Sequence, residues 1–275
     1  MNLLSSVHVP NPPKQTIFDG DGTHLSYRQK GSGAPIVFLH GLLGSSKAWT
    51  FQFEGFADQF HTAAWDAPGY GDSTQVPVDI DAYAEALAAF LVAFSSEPVT
   101  LVGHSMGGTV ASRLAAQQPQ LVRRLVLSCT HPGYGDPETA PMSEKFQNRM
   151  KELKEIGPKA YGERRAQDLL PDADTPPAVR AYAAEVASDT DAEGLTCATR
   201  MLQLADNRPF LPKLTMPVLI LTGEKDKVVA PRLKEELLSL APHVKHIEMP
   251  GLAHAPYFQS PAYYNSLIRD FIAQY

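Results

Sequence analysis

Val99-Thr100-Leu101-Val102-Gly103-His104-Ser105-Met106-Gly107-Gly108 decides how this chain folds. The Val99–Val102 run predicts a strand buried on both faces, as in a parallel sheet. From Met106 to Gln118 the residues suit a helix, and Pro119 stops it. Between strand and helix stands a serine with a glycine two residues away on either side. A bare Gly-x-Ser-x-Gly arises by chance in roughly one chain in twelve of such composition, so the pattern alone carries little. Its position carries more. A serine at a strand-to-helix turn is held in a strained conformation with its hydroxyl exposed, and a Cβ on either flank would collide with neighbouring backbone.

Moving outward, the same rhythm continues on both sides. Residues 15–19 and 23–30 alternate around Asp19-Gly20-Asp21-Gly22 and predict a hairpin after an unstructured lead-in. Ile36–Leu39 is a second buried strand, ending at His40-Gly41, and a helix follows over 46–60. A short strand, 62–65, closes on Asp66-Ala67-Pro68-Gly69-Tyr70-Gly71, and apolar residues at three and four mark a helix over 79–95. Leu125–Cys129 is the next strand. Alternation resumes with a strand at 218–221, a helix at 231–240, a strand at 244–249 and a last helix at 262–273. Strand and helix in alternation predict an α/β fold with a parallel sheet. The stretch 131–209 breaks the rhythm: it has no convincing strand and is rich in Ala, Glu, Arg and Lys, so it reads as an inserted helical subdomain. The expected organisation is a core built from 1–130 and 210–275, interrupted by 131–209.

Composition narrows the function classes. The chain has 275 residues, with 44% hydrophobic and 20% charged. Size scaling buries roughly 73% of the unfolded surface, enough for a large core without disulfides. A formal charge of −6 and the absence of a Lys/Arg block argue against nucleic-acid binding. No apolar run approaches the ~20 residues of a membrane span, and no signal-peptide pattern precedes Pro10, Pro12 and Pro13. Cys129 and Cys197 lie in no disulfide framework or Cys/His cluster. A cytoplasmic protein with a small-molecule partner, and neither nucleic acid nor membrane, is the expectation; oligomeric state is not legible.

A serine hydroxyl needs a histidine to take its proton and an acid to orient that histidine. Among nine histidines, His254 lies in Gly251-Leu252-Ala253-His254-Ala255-Pro256, a loop after the last strand, at the sheet edge where Ser105 emerges. Gly223-Glu224-Lys225-Asp226 follows the 218–221 strand to the same edge, and Asp226, standing further into the loop, is preferred to Glu224. A developing oxyanion needs backbone donors, for which the Met106 amide and the Leu42 amide of His40-Gly41-Leu42-Leu43-Gly44 are the choices. His40 is expected to brace that loop. Asp66 and Asp72 could be mistaken for a metal loop, but a structural turn is the better reading. Trp49 or Phe51 could line the pocket. Neither cofactor nor metal is implied.

The elbow, the His-Gly loop, Asp66-x-Pro-Gly-Tyr-Gly-x-Ser73, Gly-x-x-Asp226 and the late His254 together resemble the α/β-hydrolase superfamily. The likeness covers about 23–130 and 210–275. It implies a mostly parallel eight-stranded sheet with helices on both faces, a helical cap after the sixth strand, and the triad Ser105, Asp226, His254 in that chain order. Gly-His-Ser-Met-Gly-Gly and Gln259-Ser260-Pro261 resemble the small bacterial esterase and 3-oxoadipate enol-lactonase branch, which implies a serine hydrolase of a carboxylic ester or lactone. Carbon–carbon bond hydrolases of meta-cleavage-type diketones are related, but usually carry Ser-Gly-Pro-Gly and a tryptophan where Leu42-Leu43-Gly44 and Ala255 stand. A ligand receptor, or a cofactor-independent oxygenase or perhydrolase, on the same fold are further alternatives. The sequence does not name the substrate; an Arg or Lys in the pocket would point to a substrate carboxylate.

Overall fold

The computed structural model describes residues 7–20, 23–171, 175–241 and 244–275. Eight strands form one sheet: β1 (Gln15–Gly20), β2 (Thr23–Lys30), β3 (Ala34–Leu39), β4 (Phe60–Trp65), β5 (Val99–His104), β6 (Val122–Ser128), β7 (Val218–Gly223) and β8 (Lys245–Met249). Their order is β1-β2-β4-β3-β5-β6-β7-β8, with β1 and β2 antiparallel and every pair from β4 through β8 parallel. β5 and β7 are buried at every residue, as continuous apolar runs between two helical layers must be, whereas the edge strand β1 alternates. The expected hairpin pairs in register from Gln15 opposite Arg28 to Gly20 opposite Thr23. Its turn residues 21–22, with 1–6 of the lead-in and His243, fall outside the described residues; 7–14 have no helix or strand.

The pleat sorts strand residues between two cores. Val37, Leu39, Leu101, Leu125 and Leu127 face α2 (Ile80–Phe94) and α3 (Met106–Gln117). Ile36, Phe38, Val102, Val126 and Leu219 face α1 (Thr50–Phe56) and the last helix, α9 (Pro261–Gln274). The helix expected over 46–60 is shorter: a 3₁₀ turn, Ser46–Trp49, leads into α1, and β4 begins at Phe60. Phe60 and His61 pair with Ala34 and Pro35, so the sheet ladder takes residues whose local sequence also suits a helix.

Between β6 and β7 the chain forms α4 (Glu144–Leu169), α5 (Pro177–Ser188) and α6 (Ala192–Leu204). α4 is two helices joined at a kink, where Gly157 adopts φ 78 and ψ 164 immediately before Pro158. α6 is not a free decoration, because Ala198, Met201 and Leu202 belong to the α2/α3 core. The remaining helices are α7 (Pro231–Leu240) and a four-residue α8 (Pro256–Gln259), which is too short to show a period in sequence. No helix among the described residues is long and apolar enough to cross a membrane.

Candidate active site

Parallel strands deliver their following loops to one edge, and the candidate residues gather there. Ser105 sits between β5 and α3 with φ 51 and ψ −116. Apart from Cys129, no other described non-glycine residue has positive φ. Such a conformation costs about 1–3 kcal/mol and persists only where surrounding structure enforces it. The glycines explain the enforcement. A Cβ on Gly103 would stand 2.6 Å from the Gly107 carbonyl oxygen, and one on Gly107 would stand 2.4 Å from that of Leu39. β5, α3 and β3 can approach this closely only without those side chains.

His254 follows β8, and its Nδ1 lies 2.9 Å from Oδ2 of Asp226, which follows β7. Both side chains are buried, 3% and 7% exposed. Asp226 Oδ1 accepts the amides of Val228 at 2.8 Å and Val229 at 3.2 Å. Burial acts to raise the Asp226 pKa, but the His254 charge, its hydrogen bond and these two amides outweigh burial and hold it below the ordinary value. Glu224 is directed elsewhere: its Oε2 accepts the Gly251 amide at 2.6 Å. The structure therefore brings Asp226, not Glu224, to His254.

The loop after β3 closes over Ser105. Gly41 is required there, since a Cβ would meet His104 Nδ1 at 2.9 Å and Ser105 Cβ at 3.1 Å. His40 braces the loop as expected: its Nδ1 donates to the Gly41 carbonyl at 2.8 Å and its Nε2 accepts the Ala67 amide at 3.0 Å. Burial holds the His40 pKa down, in keeping with this neutral form. The amides of Leu42 and Met106 donate to no acceptor among the described residues. Asp66 acts as a turn anchor, accepting the Ser46 amide at 2.6 Å and the Ser26 hydroxyl at 2.7 Å. Its oxygens are committed within the protein.

Ser105 and His254 open onto one cavity of about 460 Å³, walled on the sheet side by the Gly41–Gly44 loop and Tyr257, and opposite by α4. Neither Trp49 nor Phe51 lines it. Trp49 is fully buried, its ring 4.9 Å from Phe38 and 4.7 Å from Tyr257, and Phe51 packs on Phe258. Tyr257 takes the aromatic position that the sequence suggested for them.

Two histidines at the site have no sequence-level assignment beyond position. His104 Nε2 donates to the His254 carbonyl at 2.7 Å, and burial pushes its pKa down to about 3. A neutral ring thus fixes the His254 backbone from 150 residues away. His131, three residues past β6, accepts the Gly133 amide on Nδ1 at 3.0 Å, so its Nε2 carries the proton. Burial lowers its pKa to about 4, and it shares a recess of about 20 Å³ with Ser105 and Leu42. Its place at the carboxyl edge was the one signal in the sequence. Cys129 Sγ, Asp226 and His254 are the one trio of possible metal donors gathered within 4.8 Å among the described residues. Two of the three bond each other, and burial together with Asp226 pushes the thiol pKa up. That protonated thiol makes the trio a poor cation cage.

A family model described as the alpha/beta hydrolase fold matches residues 34–261. Among curated relatives, the acetyltransferase component of the acetoin cleaving system of Cupriavidus necator is 35% identical over 144 residues, covering 50% of this chain. The chain spans only about two-fifths of that relative, 38% of its length. A pimeloyl-[acyl-carrier protein] methyl ester esterase of Neisseria meningitidis is 30% identical over 222 residues, 76% of this chain and 81% of the relative. The enol-lactonase structure from Burkholderia xenovorans superposes with a TM-score of 0.81 at 23% identity, covering 94% of this chain and 100% of its own. With the matched segment running from β3 to the start of α9, this chain belongs to the alpha/beta hydrolase fold family.

Proposed function

We propose that the protein is a serine hydrolase cleaving a carboxylic ester or lactone of a small organic molecule through an acyl-enzyme. One observation carries the reading: a serine in a strained strand-to-helix turn shares a cavity with a histidine whose far nitrogen is 2.9 Å from a buried carboxylate. Ser105 Oγ attacks the carbonyl carbon while His254 Nε2 takes its proton, and Asp226 keeps the remaining proton on Nδ1. The carbonyl oxygen gains negative charge and receives the Leu42 and Met106 amides, donors worth about 2.7–4 kcal/mol each in such sites. Collapse breaks the C–O bond, and His254 returns the proton to the departing alkoxide. Water then repeats the attack on the acyl-serine, releasing the acid. The helices of 131–209 serve as a cap over Ser105, with α4 as the wall that meets the substrate. The methyl ester esterase among the relatives favours ester chemistry over carbon–carbon cleavage.

The test pairs turnover with labelling. Wild type should hydrolyse p-nitrophenyl acetate or a simple lactone, and a fluorophosphonate should modify Ser105 alone, as read by peptide mass spectrometry. Modification elsewhere, or turnover that persists after complete modification, would refute the assignment.

A further inference from the structure

The protein is acidic overall, with a formal charge of −6, yet the cavity beside Ser105 is walled by Lys145, Arg149, Arg165 and Lys227 against one acid, Asp168. Asp168 is already engaged, its Oδ2 2.6 Å from Arg165 Nη2. Arg165 Nε is nevertheless buried without an acceptor. Lys145 and Arg149 stand four apart on α4 and so share one face, where like charges repel. Among the described residues neither has an ion-pair partner; the Arg149 guanidinium stands over the Phe146 ring at 5.8 Å. Burial and the Arg165 charge lower the Arg149 pKa against Tyr161, Tyr134 and Asp168, which act to raise it, and burial with both arginines lowers that of Lys145. Arg149, half-buried and with no carboxylate within ion-pair distance, sits in an unfavourable arrangement that an anion would relieve, and Lys145 adds an exposed positive charge beside it. Lys145 and Arg149 also line the small recess, so they border Ser105 through both spaces that contain it.

We propose that the substrate is an anion: an ester or lactone whose own carboxylate is received by Arg149, with Lys145 beside it, while its carbonyl lies on Ser105. A guanidinium offers two parallel N–H groups to a planar oxyanion, a match that a lysine alone does not make. The inference rests on the ester-hydrolase reading, and it narrows the substrate to half-esters of dicarboxylic acids and carboxylated lactones. Phosphate could satisfy the same cations, so the test separates the two oxyanions.

The experiment compares monomethyl glutarate with dimethyl glutarate on the full chain. Wild type should show at least tenfold higher kcat/KM for the half-ester, with the difference in KM. Arg149→Gln should bring that ratio close to one, and Arg149→Lys should keep part of it. Lys145→Gln, an exposed position on the same face, should lower the ratio several-fold and serves if Arg149→Gln does not fold. A wild-type ratio near one, or a ratio untouched by these variants, overturns the anion site while ester hydrolysis stands. Should wild type hydrolyse neither ester, turnover of p-nitrophenyl acetate decides the hydrolase reading separately, and calorimetric titration with glutarate decides the site. Binding at least tenfold weaker in Arg149→Gln supports it, and equal or absent binding overturns it. Inorganic phosphate that binds more tightly than glutarate would overturn the carboxylate assignment.

Discussion

Asp226→Asn isolates the proton arrangement at His254 from its packing. The two Asp226 oxygens do different work: Oδ1 accepts two backbone amides, and Oδ2 accepts His254 Nδ1–H. An asparagine must place its one carbonyl oxygen somewhere. Directed at His254, its NH₂ would face the Val228 and Val229 amides and leave two buried donors unpaired, about 1–3 kcal/mol each. The cheaper solution keeps the oxygen on the amides and turns NH₂ toward Nδ1. His254 must then accept on Nδ1 and carry its proton on Nε2, where it cannot take one from Ser105. The expected loss is about 10⁴-fold in kcat, the size seen when a triad acid is so replaced, or about 5.5 kcal/mol of barrier. Steady-state hydrolysis of p-nitrophenyl acetate measures the loss, and ¹⁵N chemical shifts of His254 report the tautomer. Retention of a tenth of wild-type activity, or a dead Glu224→Gln beside an active Asp226→Asn, refutes the reasoning. Stability gives an independent sign. Because the folded-state pKa of Asp226 is lowered, its stabilisation is present above the unfolded value of about 3.9 and disappears as pH falls through the folded one. The stability difference between wild type and Asp226→Asn should therefore shrink on acidification below about pH 4.

Three further outcomes are expected. Ser105→Ala should lower kcat by about 10⁶-fold with an unchanged circular dichroism spectrum; a tenth of the activity remaining would remove Ser105 from the nucleophile role. Gly107→Ala should destabilise the fold by about 1–3 kcal/mol through overpacking against Leu39, read as a lower midpoint in urea; an unmoved midpoint would mean β3 and α3 yield more easily than their contact suggests. Replacing the first half of α4, Glu144–Ile156, with a Gly/Ser linker, which leaves the core contacts of α5 and α6 in place, should spare part of the activity on a small acetate ester and collapse selectivity among larger acyl groups; unchanged selectivity would deny that segment a role in the pocket.

The elements legible in sequence are those whose cause is local. β3, β5 and β7 are unbroken apolar runs, and the Ser105 turn combines a strand, flanking glycines and a helix within ten residues. The meeting of Asp226 with His254 was also readable, because loops after buried parallel strands emerge at that edge. What escaped is set by distant partners. The β4 start depends on pairing with Ala34, His104 on a carbonyl in another loop, and Tyr257 on a four-residue helix that presents it to the cavity. The cavity's charge was equally hidden. Lys145 and Arg149 look like an ordinary solvated helix face until the Gly157–Pro158 kink turns the second half of α4, with Arg165, back onto the same space.

Ser105 occupies backbone that glycine would adopt at no steric cost, so one of the two strained non-glycine torsions among the described residues coincides with the oxygen proposed to react. Thermal hardiness and turnover therefore pull in opposite directions at this one position. A laboratory selection that scored only resistance to heat would favour glycine at 105 and discard the hydroxyl without any sign of damage to the sheet. A selection that scored turnover would hold position 105 fixed and collect its gains in stability elsewhere, at surface positions remote from the carboxyl edge.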